Sequence, residues 1–148
     1  MLIRGLYLVL RNQVGNLLII MDQYSNFSNI INQAISLNRF SVKVPHNSKN
    51  LELIKCLEIN SYIRGYRVLP GGNFIEVLLK YWLGNPVFRK LLRVSKSSKR
   101  HYSKLFLKLF GTSGCFIVST SKGLLLQRGF EFKIRRIAGG EVIFRVIE

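Results

Sequence analysis

Residues 66–81 read YRVLPGGNFIEVLLKY, and the class of fold turns on how that stretch is read. Pro70-Gly71-Gly72-Asn73 separates two apolar runs, Tyr66 to Leu69 and Phe74 to Tyr81. Proline presets one backbone angle and glycine permits a positive one, so the cluster predicts a turn. Two strands around such a turn make an antiparallel hairpin.

Working upstream, Phe27, Ile30, Ile31, Ala34 and Ile35 share one helical face. The spacing predicts an amphipathic helix over Asp22 to Leu37, with Ser25 as its cap. Phe40, Val42 and Val44 alternate with Ser41 and Lys43, as in a half-buried strand that Pro45 ends. Asn47 or Ser48 can start a second helix, which carries Leu51, Ile54 and Leu57 and is expected to stop at Gly65. Helix, strand, helix and hairpin make an α+β lobe over residues 22–84, behind an N-terminal extension of residues 1–21.

Downstream, Gly84-Asn85-Pro86 reads as a boundary. Beyond it Val87 to Val94 is a strand candidate, Ser95 to His101 a basic loop, and Leu105 to Phe110 one or two helical turns. Cys115 to Val118 reads as a buried strand. Leu124 to Ala138 reads as a long connection carrying Arg128, Lys133, Arg135 and Arg136. Glu141 to Ile147 alternates strictly and closes a mostly β second lobe, residues 85–148.

Charge narrows the function. The chain has 23 Lys and Arg against 7 Asp and Glu, a net charge of +16. With 48% hydrophobic residues it can still build a core, which argues against a disordered basic tail. A folded domain this basic repels itself unless a polyanion neutralises it, either nucleic acid or an anionic membrane. No carboxylate stands between Glu76 and Glu131, a stretch holding 11 lysines and arginines. Leu6 to Met21 is apolar but broken by Arg11, Asn12, Gln13 and Asn16, so it is not a membrane span.

Catalysis lacks its parts. Asp22 is the only aspartate, and Gly111 to Cys115 misses the closing glycine of a nucleophile elbow. Ser119 to Gly123 lacks the upstream glycines of a phosphate loop, and the basic half has no clustered acids for a two-metal nuclease. Cys56 and Cys115 form no CxxC pair, so no zinc site is expected and both read as buried thiols in a reducing compartment. The reading is therefore a non-enzyme without cofactor, metal or small-molecule substrate.

Ser119-Thr120-Ser121-Lys122-Gly123 follows the buried strand and gathers three hydroxyls, a lysine and a glycine. Such a set can meet phosphate oxygens, 2′-hydroxyls or base edges, although an ordinary polar turn looks the same in sequence. Tyr102 beside Arg100, or Tyr81 beside Trp82, offers a ring to a base, with Trp82 read first as packing.

The order of several fragments resembles the bacterial-type small-subunit ribosomal protein eight family. They are Val118 to Gly123, then Gly139-Gly140-Glu141-Val142 before the last strand. Lys80-Tyr81, Gly84, Pro86-Val87, Arg93-Val94-Ser95-Lys96, Arg100 and Tyr102 resemble its central stretch. Asn38-Arg39, Pro45 and Tyr62-Ile63 follow its first lobe, so the resemblance runs from Asp22 to Glu148.

The resemblance implies a two-lobed α+β protein that binds the central domain of small-subunit ribosomal RNA and sits among neighbouring ribosomal proteins. By position, Ser119, Thr120, Ser121, Lys122 and Gly123 would enter an RNA minor groove beside unpaired bases. Arg93, Ser95, Lys96, Arg100 and Tyr102 would flank that loop, and Asn38 and Arg39 would contact RNA from the first lobe. Three departures stand out. Ser97-Ser98 replaces the family's usual Pro-Gly, which predicts a looser loop; the connection after Leu124 is longer; and Met1 to Met21 has no counterpart. The Ile-, Asn- and Lys-rich composition, as from an AT-rich gene, together with the extension and the longer connection, points to a mitochondrial ribosome, with a plastid or bacterial cytoplasm as alternatives. A non-ribosomal regulatory RNA-binding module is the rival function, and a peripheral membrane protein is a third.

Overall fold

The computed structural model describes residues 23–102, 114–128 and 140–148. Helix α1 (Gln23–Ser36) buries Phe27, Ile31, Ala34 and Ile35 along one face, as the spacing predicts. It ends because Asn38 turns left-handed (φ 50°). The Asn38 N–H then donates to Ile35 O at 3.0 Å and Arg39 N–H to Ala34 O at 3.0 Å, satisfying two helix-end carbonyls. Ser25 lies inside the first turn and does not cap the helix from outside.

Strand β1 (Ser41–Pro45) leads to α2 (Ser48–Ile59), capped by Asn47, whose side chain accepts from Asn50 N–H at 2.8 Å. Strands β2 (Ile63–Val68) and β3 (Phe74–Leu79) are the expected hairpin. The sheet order is β1-β3-β2, antiparallel throughout. Pro45 ends an edge strand, where its missing N–H costs no ladder bond. A small hairpin, β4 (Tyr81–Trp82) and β5 (Asn85–Pro86), follows.

The mostly β part holds β6 (Lys90–Arg93), β7 (Cys115–Thr120), β8 (Gly123–Arg128) and β9 (Glu141–Ile147), in the antiparallel order β6-β9-β7-β8. The architecture is thus α+β, a helical first part and a β second part, as expected. One apolar cluster joins Phe27 and Ile31 of α1, Leu53 and Leu57 of α2, and Leu91, Ile117 and Phe144 of the second sheet. Cys56 and Cys115 are free and buried within it, and burial pushes the Cys56 thiol up to about 11.

Asn32 ties the two parts together. Its amide donates to Leu91 O at 3.0 Å and accepts from Leu91 N–H at 2.8 Å. In effect it supplies the bonds a neighbouring strand would make to edge strand β6. Asn32→Ala strands a donor and an acceptor at a buried residue, so it is expected to lower unfolding stability by about 2 kcal/mol. Urea denaturation checks this, and an unchanged midpoint would show that water replaces both bonds.

The end of α2, the start of β2 and the extent of β8 differ from expectation, as does β6, which begins at Lys90 and not at Val87. Helix α2 stops at Ile59, six residues before Gly65. The left-handed position needed there is taken by Ser61 (φ 61°), with Ser61 N–H donating to Glu58 O and Tyr62 N–H to Leu57 O. Gly65 instead sits inside β2, at the register shift between Ile63 and Gly65. A non-glycine residue in this conformation costs about 1–2 kcal/mol, so Ser61→Gly should raise stability by about 1 kcal/mol. A thermal melt reads the change; a lower Tm would mean the serine side chain contributes more than its backbone costs.

The third difference is β8. Leu124 to Arg128, read above as the start of a connection, pairs residue by residue with β7. Alternation was hidden because Leu124, Leu125 and Leu126 are equally apolar, although only Leu124 and Leu126 pack against the core. Residues 1–21, Leu105 to Phe110 and the basic residues from Lys133 to Arg136 lie outside the described residues.

Candidate nucleic-acid interface

The strand pairing brings distant residues to one place. Arg93, at the end of β6, lies opposite Phe144 of β9. Glu141, at the start of β9, lies opposite Ser119 of β7 and also bridges Tyr102. Between these points is a recess of about 230 Å³ lined by Arg93, Lys96, Arg100 and Ser119. All four are sequence-predicted contacts. Tyr24 of α1 and Lys49 of α2 complete its wall, with Glu141 as the carboxylate on it.

Arg93 is fixed rather than free to swing. Its guanidinium lies 4.8 Å from the Tyr24 ring centre and 5.7 Å from that of Phe144. The two rings meet edge to face at 6.0 Å. Lys49 Nζ is 5.5 Å from the Tyr24 ring centre. Rings hold both cations by their negative faces, orienting them before any ligand arrives. Burial, with the Glu52 charge adding to it, pushes the Tyr24 phenol above its usual range, so it stays a neutral hydroxyl near pH 7. Tyr24 and Lys49 escaped the sequence reading because they lie on helices of the first part. No local motif signals that those helices reach the second sheet.

The loop after β6 is held by its own backbone. Lys96 N–H donates to Lys99 O at 2.9 Å and Lys99 N–H to Lys96 O at 3.1 Å, so Ser97-Ser98 forms a tight two-residue turn without Pro-Gly. Ser95 is fully buried. Its hydroxyl accepts from His101 N–H at 2.9 Å and donates to His101 O at 3.3 Å. Ser95 therefore shapes the loop; with its side chain enclosed, it does not present a hydroxyl to a ligand. Val142 N–H then donates to His101 O at 2.8 Å, pinning the loop against β9 and leaving Arg100 and Tyr102 exposed.

The hydroxyl segment straddles a strand and a turn. Ser119 and Thr120 end β7, Ser121 and Lys122 form the tip, and Gly123 opens β8. The Thr120 hydroxyl donates to Gly123 O at 2.9 Å and accepts from Lys122 N–H at 3.3 Å, so it stabilises the turn. Gly123 adopts φ +105°, which other residues reach only with strain. Ser119 faces the recess, whereas Ser121, Lys122 and Gly123 project beside it into solvent.

Asn38 and Arg39 are not part of this arrangement. Tyr24 and Asn38 are 14 residues apart along α1 and its end, a separation of about 21 Å at helical rise. Arg39 lines a different groove, of about 400 Å³, between α1 and β1. Trp82, read as packing, is exposed.

Four cations, Ser119 and the Tyr24 ring around one carboxylate suit a phosphate-rich ligand with exposed bases. Among the described residues no group of His, Cys, Asp or Glu could hold a metal, and no helix is long and apolar enough to cross a membrane. The fold and recess define a class: a basic α+β protein with a preformed cationic surface at the edge of an antiparallel sheet.

Comparison with known proteins makes the class specific. The chain belongs to the ribosomal protein S8 family, whose model matches residues 22–147. It is 37% identical over 128 residues to the small ribosomal subunit protein uS8 of Shewanella amazonensis, covering 82% of this chain and 94% of that protein. The uS8 of Xylella fastidiosa strain 9a5c is 39% identical over 119 residues, covering 76% and 87%. That of Buchnera aphidicola is 33% identical over 126 residues, covering 82% and 94%.

Proposed function

We propose that this protein is a structural constituent of the small ribosomal subunit, that it binds and stabilises the central domain of small-subunit rRNA, and that it performs no catalysis. The observation that carries the reading is the recess in which Arg93, Lys96, Arg100 and Ser119 converge beside the Ser121-Lys122 turn. Its ring-held cations offer phosphate contacts, and the hydroxyls offer partners for 2′-hydroxyls and base edges. Family membership and the names of the bacterial relatives support the same reading. Neighbouring small-subunit proteins would be its other partners.

The direct test is binding to a central-domain rRNA fragment against a scrambled RNA of equal length across a salt series. Both affinities should fall with salt, with a log–log slope of roughly −0.7 to −0.9 per phosphate neutralised. The rRNA fragment should remain tighter at high salt; coinciding curves would overturn the reading. Co-sedimentation with small subunits in stringent salt separates a ribosomal protein from a regulatory RNA-binding module.

Ser119→Ala with Ser121→Ala should weaken the specific component by about tenfold, as expected for losing two net hydrogen bonds, while circular dichroism and Tm stay unchanged. Unchanged affinity would remove the hydroxyls from the interface. The compartment proposed is the mitochondrion, on the compositional bias of the chain. Recovery in the mitochondrial small subunit supports it, and recovery only from plastid or bacterial ribosomes overturns it.

A further inference from the structure

Glu141 is the one carboxylate among the described residues that line the recess, and Lys49, Arg93, Lys96 and Arg100 share it. Pairing with one of these cations would be the ordinary use of an acid placed there. Between described residues, however, the one ion pair is Arg67–Glu76, and the Glu141 side chain accepts no hydrogen bond from any of them. The carboxylate is left with its full capacity to accept.

Its position is fixed by the sheet. Glu141 begins β9 and lies opposite both Ser119 of β7 and Tyr102. Residues opposed in antiparallel strands point to the same face, with Cβ atoms about 5 Å apart. Tyr102, Glu141 and Ser119 therefore form a row of an exposed ring, a part-buried carboxylate and a hydroxyl. The Val142 N–H bond to His101 O, at 2.8 Å, holds the register on one side. On the other, Gly140 lets β9 approach Ser119 more closely than a residue with a Cβ could.

Charge decides what the row can meet. A carboxylate repels phosphate, so an acid in the middle of a cationic recess lowers affinity for RNA backbone. It has no proton to give and must face a donor. RNA offers two kinds, 2′-hydroxyls and base N–H groups. A 2′-hydroxyl stands on the sugar beside its own phosphate, and bringing it to Glu141 brings that charge too. The amino group of a splayed base lies at the edge farthest from the backbone. Unpaired bases stack on aromatic side chains and are read along such edges, and Tyr102 supplies the ring next to the acceptor.

We propose that Glu141 selects an unpaired base bearing an exocyclic amino group, accepting from that group while the Tyr102 ring supports the base. This rests on the rRNA reading above and adds to it a residue that discriminates between bases, where the cations only attract.

The test measures binding of full-length Glu141→Ala and Glu141→Gln to the central-domain fragment and to scrambled RNA at equal salt. Glu141→Ala should weaken the fragment by about 10–100-fold, as for loss of a base-reading contact. It should tighten scrambled RNA by about twofold, because one repulsive charge is gone. Glu141→Gln keeps an acceptor oxygen and should fall between on the fragment. Circular dichroism and Tm should be unchanged in both. Amino groups are then removed one at a time from the unpaired bases of the fragment: purine riboside for adenosine, inosine for guanosine and 2-pyrimidinone riboside for cytidine. One such substitution should weaken wild-type binding about tenfold or more and cost nothing further in Glu141→Ala.

Tighter binding of both RNAs by Glu141→Ala would make Glu141 a charge-balancing group and overturn the inference. Coupling to a 2′-deoxy sugar in place of a missing amino group would assign the carboxylate to the sugar and overturn it equally, as would no coupling at any position. If the wild-type protein holds fragment and scrambled RNA alike at high salt, the rRNA reading itself fails. Specific wild-type binding that Glu141→Ala leaves intact sinks this inference alone.

Discussion

Replacing Gly140 with alanine is expected to destabilise the protein by about 3 kcal/mol, at the upper end of ordinary overpacking costs, and to abolish specific RNA binding. A Cβ at this position would stand 2.3 Å from Ser119 O and 2.8 Å from Val118 Cγ1. The first of these is main chain of the adjacent strand, so it cannot rotate away. Strand β9 would have to lift from β7 where Glu141 faces Ser119, which is one wall of the recess. Gly65→Ala is the control. Its Cβ would meet only Glu58 Oε1, at an ordinary 3.8 Å, and stability should hold or rise by up to about 1 kcal/mol. Chemical denaturation compares the two. Equal effects would mean that loss of glycine matters and the close approach of β9 to β7 does not.

Arg93→Ala is expected to weaken rRNA binding by about 10–100-fold, whereas Lys96→Ala should cost only a few-fold and reduce the salt slope by about one. The difference lies in what holds each cation. Lys96 is exposed at a loop turn and acts as a charge near phosphate. Arg93 is part-buried against Tyr24 and Phe144, so its guanidinium is already oriented and contributes packing as well as charge. Stability should accordingly fall by about 1–2 kcal/mol in Arg93→Ala and stay within about 0.5 kcal/mol in Lys96→Ala. Arg93→Lys separates the contributions further. It keeps the charge but loses the planar stack, and should recover only part of the affinity. Full recovery would reduce Arg93 to a point charge.

These expectations depend on features that were unequally visible in the sequence. Periodicity revealed α1 because it buries one face beside polar residues on the other, and the Pro70-Gly71-Gly72-Asn73 turn revealed the β2–β3 hairpin. It missed β8, where the consecutive leucines Leu124 to Leu126 show no alternation. It misplaced the end of α2, because the residue that turns left-handed there is Ser61 and not the expected glycine. Order and spacing of short fragments sufficed for the family resemblance, which the family match and the relatives bear out.

Within the site, residue types announced the cations and hydroxyls but not their division of labour. Ser95 and Ser119 look alike in the chain, yet one hydroxyl is enclosed by His101 and the other borders the recess. Thr120 and Ser121 are neighbours, yet Thr120 closes the turn while Ser121 is exposed at its tip. Composition and local pattern by themselves determined a basic α+β chain with a hydroxyl-rich strand end, because charge and periodicity are properties of the residues. Only the tertiary structure decided that Tyr24 and Lys49 join Arg93 while Asn38 and Arg39 lie at the far end of α1. Helix packing against the second sheet sets those distances, and no local run of sequence encodes which helix end meets it.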